Sequence, residues 1–118
     1  MLYLKKSNSE TLEDLKMNLQ QAIELEHSTI PPYLVANFTL FNAQNQANQP
    51  LSDIIGSVLG EEMLHMSIAC NVLNAIGGSP QINVKPFIPT YPGHLPGGVE
   101  TSLKVHLEKF SSLICCMK

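Results

Sequence analysis

The sequence predicts an all-α fold in which two long helices pack against each other and a Pro/Gly-rich C-terminal loop segment follows them. Apolar residues recur at helical spacing from Leu12 to Tyr33 and again from Leu51 to Ile76. The connection from Asn42 to Pro50 is short and rich in Asn and Gln, so the two helices should be antiparallel neighbours. From Gly77 onward the chain holds five of its eight prolines and five of its seven glycines, which disfavours a further long helix.

The composition indicates the size of the domain and excludes some classes of partner. A chain of 118 residues with 44% hydrophobic residues fits one small globular domain spanning residues 1–118. The net charge is −3 and all basic residues are lysines without a basic patch, so nucleic acid is not an expected partner. No apolar run is long enough to cross a bilayer, and no signal peptide is evident, so no membrane partner is expected. Three cysteines without metal-type spacing predict a reducing, cytoplasmic location.

The first helix should begin at about residue 10, where Ser7 and Glu10 form a capping-box pattern. The apolar stripe that follows contains one carboxylate, Glu26, whereas Glu24 belongs to the neighbouring polar face. The apolar members of the stripe are Leu12, Leu15, Leu19, Ala22, Ile23, Ile30 and Tyr33.

Pro31 and Pro32 interrupt this helix, because each proline removes the backbone donor to the carbonyl four residues earlier, on His27 and Ser28. The helix either stops there or continues with a kink to about residue 45. In the second case side chains or water must satisfy the freed carbonyls. We favour the kink, because the apolar period continues beyond the prolines.

The second helix is predicted over residues 51–76, and Gly77-Gly78 supplies the signal for its end. Glu62 and His65 are three residues apart, so they project from one face of this helix. That face is otherwise apolar, with Ile55, Val58, Leu59, Met66, Ala69 and Leu73. A carboxylate and an imidazole inside an apolar stripe need a partner, and a metal ion is the partner we favour.

Antiparallel packing should bring Glu26 close to Glu62 and His65. The chain has no Lys or Arg between Met17 and Val84, so no cation of this stretch can pair with the two carboxylates. An unpaired ionised carboxylate in a helix interface is unfavourable by several kcal/mol. Mixed carboxylate and imidazole ligands suit iron or manganese, and a structural zinc site would more often include cysteine.

Other readings of these residues remain open. A Glu-x-x-His pattern occurs by chance mostly on protein surfaces. Glu61 either supports a ligand or is solvated. His27 either hydrogen-bonds a carboxylate, faces solvent or supports a metal ligand. Tyr33 belongs either to the core or to a redox site. The alternation of Leu103, Val105 and Leu107 with polar residues is a weak strand signal.

With these residues identified, the chain resembles a known family, the ferritin-like domain of the iminophenyl-pyruvate dimer synthase type. The first matching motif is Ala-Ile-Glu-Leu-Glu-His-Ser-Thr-Ile-Pro-Pro-Tyr-Leu at residues 22–34. The second is Glu-Glu-Met-Leu-His at 61–65, followed by Asn-Val-Leu-Asn-Ala-Ile-Gly-Gly at 71–78. Tyr-Pro-Gly at 91–93 and Leu-Pro-Gly-Gly at 95–98 complete the match, which covers roughly residues 12–111.

The resemblance implies a ferritin-like helical hairpin, half of a four-helix bundle, with Glu26, Glu62 and His65 as iron ligands. It implies non-haem di-iron oxidoreduction of a small molecule, since several family members couple amino-acid-derived imines oxidatively in bisindole pigment pathways. The helix pair that carries the remaining di-iron ligands is missing from this sequence, so it looks like a truncated member. A homodimer could complete the bundle and the site. Otherwise the chain is an iron-binding or structural helical module without catalysis.

Overall fold

The computed structural model describes residues 11–40 and 48–109 of the chain, and within them the fold is all-helical. Helix α1 spans Leu12–Leu40 and helix α2 spans Gln49–Ala75. They pack as a hairpin, and after α2, as far as residue 109, the chain forms two short 3₁₀ turns, Lys85–Phe87 and Pro96–Gly98. The predicted all-α hairpin is therefore confirmed.

The weak strand signal after residue 100 does not give a strand. Among the described residues, extended pairing amounts to one antiparallel bridge between Gly93 and Val105. A strand needs a neighbouring strand or sheet face to be stable, and residues 11–40 and 48–109 supply none beside Val105.

Where the described part of helix α1 begins, the side chain of Thr11 caps the helix. The Thr11 hydroxyl accepts a hydrogen bond from the Asp14 amide at 3.1 Å and donates to the Asp14 carboxylate at 2.7 Å. This satisfies one of the amide groups that a helix N-terminus leaves free. The predicted Ser7–Glu10 box lies outside the described residues.

Helix α1 continues through Pro31 and Pro32, so the reading in which it stops there is wrong. Pro32 has no amide hydrogen to donate to the carbonyl of Ser28, a residue that is buried. The hydroxyl of Tyr91 donates to this carbonyl at 2.5 Å. Burial raises the pKa of Tyr91, which keeps its hydroxyl protonated and able to donate. The loop segment thus supplies the partner that the proline removes.

Removing this hydroxyl should destabilise the fold. Tyr91→Phe leaves the Ser28 carbonyl buried without its donor, a change that costs about 1 to 3 kcal/mol. We expect a lower free energy of unfolding in urea, with an unchanged denaturant slope. Tyr33→Phe, at a tyrosine on α1 that is 37% exposed, is the control and should change stability less. Equal effects in the two variants would contradict the role of Tyr91.

The core lies where both helices meet the following segment. Ile23 from α1, Leu73 from α2 and Phe87 from the loop segment form one buried cluster. The residues packed around it are Leu19, Met66, Ala69, Cys70 and Ile76. The buried face of α2 is therefore the predicted one, and Phe87 closes the open end of the hairpin.

The end of α2 also agrees with the prediction. The amide of Gly77 donates to the carbonyl of Asn74 at 3.0 Å, and the amide of Gly78 donates to that of Leu73 at 2.9 Å. Gly77 has a φ of 77°, which a residue without a Cβ adopts without strain. Beyond this turn, the Gln20 side chain exchanges two hydrogen bonds of 3.0 Å with the backbone of Gln81 and ties the loop segment to α1.

No helix of the described residues is both long and apolar enough to span a membrane. The cytoplasmic location stays a prediction.

Candidate metal centre

The three residues predicted as metal ligands come together between the two helices. Glu26 projects from α1, and Glu62 and His65 project from one face of α2, so the hairpin joins them across its interface. One ligand atom of each residue lies within 4.8 Å of the others. In residues 11–40 and 48–109, no second group of three His, Cys, Asp or Glu residues is close enough to hold a metal ion.

The centre lies at the edge of the helix interface. The Glu26 side chain is 22% exposed, Glu62 is partly buried and the His65 side chain is 52% exposed. His65 Nδ1 lies 3.5 Å from Glu26 Oε2. The expectation that His65 sits inside the apolar stripe is therefore wrong. It borders the stripe, and a ligand can approach it from solvent.

The electrostatics of the centre favour a positive charge. The pKa of Glu26 is raised, mainly because the carboxyl is partly buried, and further because it hydrogen-bonds to Glu62 and feels its negative charge. His65 opposes this effect only in part. Within the described helices, Lys16 is the one lysine or arginine, and it pairs with Glu13 at 2.9 Å. Two adjacent carboxylates in this setting need either a shared proton or a bound cation.

A threonine that the sequence reading missed holds one of these carboxylates. The Thr29 hydroxyl lies 2.6 Å from Oε2 of Glu62 and 2.8 Å from the carbonyl oxygen of Glu26. Thr29 follows Glu26 by three residues, so it lies one turn further along α1 on nearly the same side. The spacing therefore indicates that Thr29 lies near the centre, but it does not indicate which residue of α2 Thr29 contacts.

The His27 ring packs against the segment that follows α2. It lies on the ring of Phe87 with centroids 4.4 Å apart, and its Nδ1 is buried without a hydrogen-bond partner among the described residues. Burial lowers the pKa of His27, which favours the neutral imidazole. Nδ1 therefore neither bonds a carboxylate of the described residues nor faces solvent. The ring takes part in closing the core, and the position of Phe87 could not be read from the sequence.

The remaining candidate residues lie outside the cluster. Glu61 is exposed on α2. Glu24 lies on the polar face, as predicted, where it accepts a hydrogen bond from Gln20 at 3.2 Å. Tyr33 is partly exposed on α1, beyond the group of three ligand atoms.

The donor set fits iron. Two carboxylates and one imidazole, without cysteine, are the ligand types that iron and manganese accept. Three protein donors would leave coordination positions open on a bound metal, as the ligands of non-haem iron oxygenases do. The exposed side of His65 provides a path by which an ion or a further ligand could enter.

Comparison with known proteins agrees with this architecture. The model of the family described as Ferritin-like matches residues 19–115, a range that includes all three candidate ligands. No curated protein and no solved structure matches the chain. The narrower likeness to the iminophenyl-pyruvate dimer synthase type stays a prediction, as does the view that residues 1–118 are one truncated domain.

Proposed function

The chain belongs to the ferritin-like family, and from that premise we propose that it binds iron through Glu26, Glu62 and His65. The observation that carries the proposal is the convergence of these ligand atoms within 4.8 Å, from two helices and without a cationic Lys or Arg on either helix beside them. Burial and, after it, the neighbouring Glu62 raise the pKa of Glu26, and a bound cation would stabilise the ionised carboxylate against both effects. Manganese is the alternative metal.

The activity we propose is oxidoreduction of a small molecule. Bound iron would supply redox chemistry with dioxygen or peroxide. The protein contributes two carboxylate ligands, a half-exposed imidazole and an opening on the His65 side through which a substrate could reach the metal. The substrate class, an amino-acid-derived imine, rests on the sequence resemblance alone.

A second copy of the chain is the partner we propose. Helix α2 carries a second apolar stripe formed by Leu64, Ile68 and Val72, which are 57%, 50% and 43% exposed. At spacings of four residues these side chains line one side of the helix, and His65 lies between them and the buried face. We call this set the outer stripe. A homodimer that covers it would bury apolar surface next to the centre and add a second set of three ligands.

A homodimer would supply the further ligands that a di-iron site needs beyond the three donors of one chain. Ferritin-like di-iron sites take ligands from four helices, and two hairpins provide four. Glu61 lies one turn before Leu64 on the outer stripe, so in such a dimer its carboxylate would lie beside the paired centres. One iron per chain, two per dimer, is the expected stoichiometry.

Anaerobic loading with ferrous iron, followed by desalting and elemental analysis, tests the proposal. Wild-type protein should retain about one iron per chain. Glu62→Ala should retain almost none, because it removes one of the three proposed ligands. Asp53→Ala is the matched control, since Asp53 is an exposed acidic residue of the same helix. Wild-type protein without retained iron would overturn the proposal.

A second candidate function is an iron-binding or structural module without catalysis. It is favoured by the small number of donors, three in the described residues, and by the half-exposed position of His65. Oxygen uptake separates the two functions. Iron-loaded enzyme should consume dioxygen in proportion to an added imine, whereas a binding module should retain iron and consume none beyond the oxidation of that iron.

A further inference from the structure

The Thr29 hydroxyl connects the two helices at the candidate metal centre. It is placed between a backbone oxygen of its own helix, that of Glu26 at 2.8 Å, and a carboxylate oxygen of α2, that of Glu62 at 2.6 Å. A threonine hydroxyl has one proton, so it donates to one of these two acceptors at a time. The shorter contact is to the carboxylate, and a charged acceptor makes the stronger hydrogen bond.

This arrangement differs from the ordinary behaviour of hydroxyl groups in helices. Ser and Thr side chains in a helix commonly bond a carbonyl three or four residues earlier. Thr39 does so in α1, where it donates to the carbonyl of Ala36 at 2.8 Å. Thr29 makes the same backbone contact, but it also faces a metal-ligand candidate from the other helix. Helix geometry alone does not explain the second contact.

The contact limits the orientation of the Glu62 carboxylate. An exposed glutamate samples many rotamers, and ordering it costs conformational entropy when a metal binds. With Oε2 held by Thr29, fewer orientations of the carboxylate remain, and Oε1 is the oxygen that this contact does not occupy. If a metal binds through one oxygen of the carboxylate, the other oxygen needs a hydrogen-bond donor. The Thr29 hydroxyl is that donor.

We propose that Thr29 is a positioning residue that orients Glu62 for binding metal through a single carboxylate oxygen. This inference rests on the proposed function, because it concerns the same three ligands. Hydrogen-bond partners of metal ligands typically change metal affinity by about 10- to 100-fold when they are removed. Thr29 acts on the metal only through Glu62.

The test compares Thr29→Val, Thr29→Ser and the control Thr39→Val in the full chain, with wild type beside them. Valine keeps the shape of threonine and removes the hydroxyl, whereas serine keeps the hydroxyl. Thr39 lies ten residues further along α1, about 15 Å away, and makes the same type of backbone bond. Affinity is measured with ferrous iron and with cobalt(II), anaerobically, by competition with a chelator. The visible absorption of bound cobalt reports the ligand geometry.

Thr29→Val should bind both ions about 10-fold more weakly than wild type and should change the cobalt spectrum. Thr29→Ser and Thr39→Val should resemble wild type in both measurements. If the valine variant loses helix content by circular dichroism, Thr29→Ala replaces it, since alanine removes the hydroxyl and favours the helix.

The outcomes separate this inference from the proposed function. Wild-type protein that binds neither ion overturns both. Wild-type binding with unchanged affinity and spectrum in Thr29→Val overturns only the role of Thr29. A serine variant as weak as the valine variant also overturns it, because the hydroxyl would then not be the determinant.

Discussion

Ile68→Glu should convert an iron-loaded dimer into a monomer that has lost most of its iron. Ile68 is 50% exposed at the centre of the outer stripe, so a single chain can place a glutamate there in contact with water. In a homodimer that covers the stripe, the same carboxylate would be buried in each copy, which costs several kcal/mol per charge. A few kcal/mol lowers the association constant by several orders of magnitude. Light scattering after size exclusion, together with iron analysis of each peak, measures both effects.

Ile82→Glu is the matched control for this experiment. Ile82 is 51% exposed but lies in the loop segment beyond α2, away from the outer stripe. It should leave both the dimer and its iron unchanged. A dimer that survives Ile68→Glu would show that the copies meet on another surface. An iron-loaded wild-type monomer would show that one hairpin holds the metal without a second copy.

The parts of this structure that follow helical spacing could be predicted from the sequence. The buried face of α2 through Leu73 requires only the period of a helix. The meeting of Glu26 with Glu62 and His65 also requires an antiparallel neighbour and a connection short enough to limit the register. Periodicity assigns a residue to a face but does not fix how deeply the face is covered. This is why His65 was expected inside the stripe although its side chain is half exposed.

The contacts made by the segment after α2 could not be predicted in the same way. Phe87 enters the core beside His27, and Tyr91 bonds the carbonyl of Ser28. The segment has no regular period, so its residues carry no signal of what they touch. The kinked helix required some donor near Pro32, and the sequence could state that need without identifying Tyr91. The same applies to Thr29, whose partner depends on the register between the two helices.

Glu26→Gln should make the metal-free protein more stable at neutral pH and remove its stabilisation by iron. Burial and the neighbouring Glu62 raise the pKa of Glu26 above its ordinary value of 4.5, so the folded state holds this proton more tightly than the unfolded state. The stability from Glu26 is then present at low pH and falls as the pH rises through the window above 4.5. Glutamine is neutral at every pH, so the stability of the variant should not show this decrease as the pH rises.

Thermal unfolding between pH 4 and pH 8, with and without ferrous iron under nitrogen, measures this prediction. Metal at about 100 times its Kd stabilises the folded state by about 2.7 kcal/mol, which corresponds to a rise in Tm on the order of 10 °C for a domain of this size. Glu26→Gln should lose that rise. Glu24→Gln, two residues away on the polar face, should retain it.

The two halves of the Glu26 experiment are linked by one physical cause. An ionised Glu26 that is partly buried beside Glu62 makes the metal-free protein less stable, and the same carboxylate attracts the cation. A neutral side chain should therefore improve the stability without metal and abolish the stabilisation by iron. A variant that is both less stable without metal and still stabilised by iron would exclude Glu26 as a ligand. A variant that gains stability yet keeps its iron would show that Glu62 and His65 hold the metal without it.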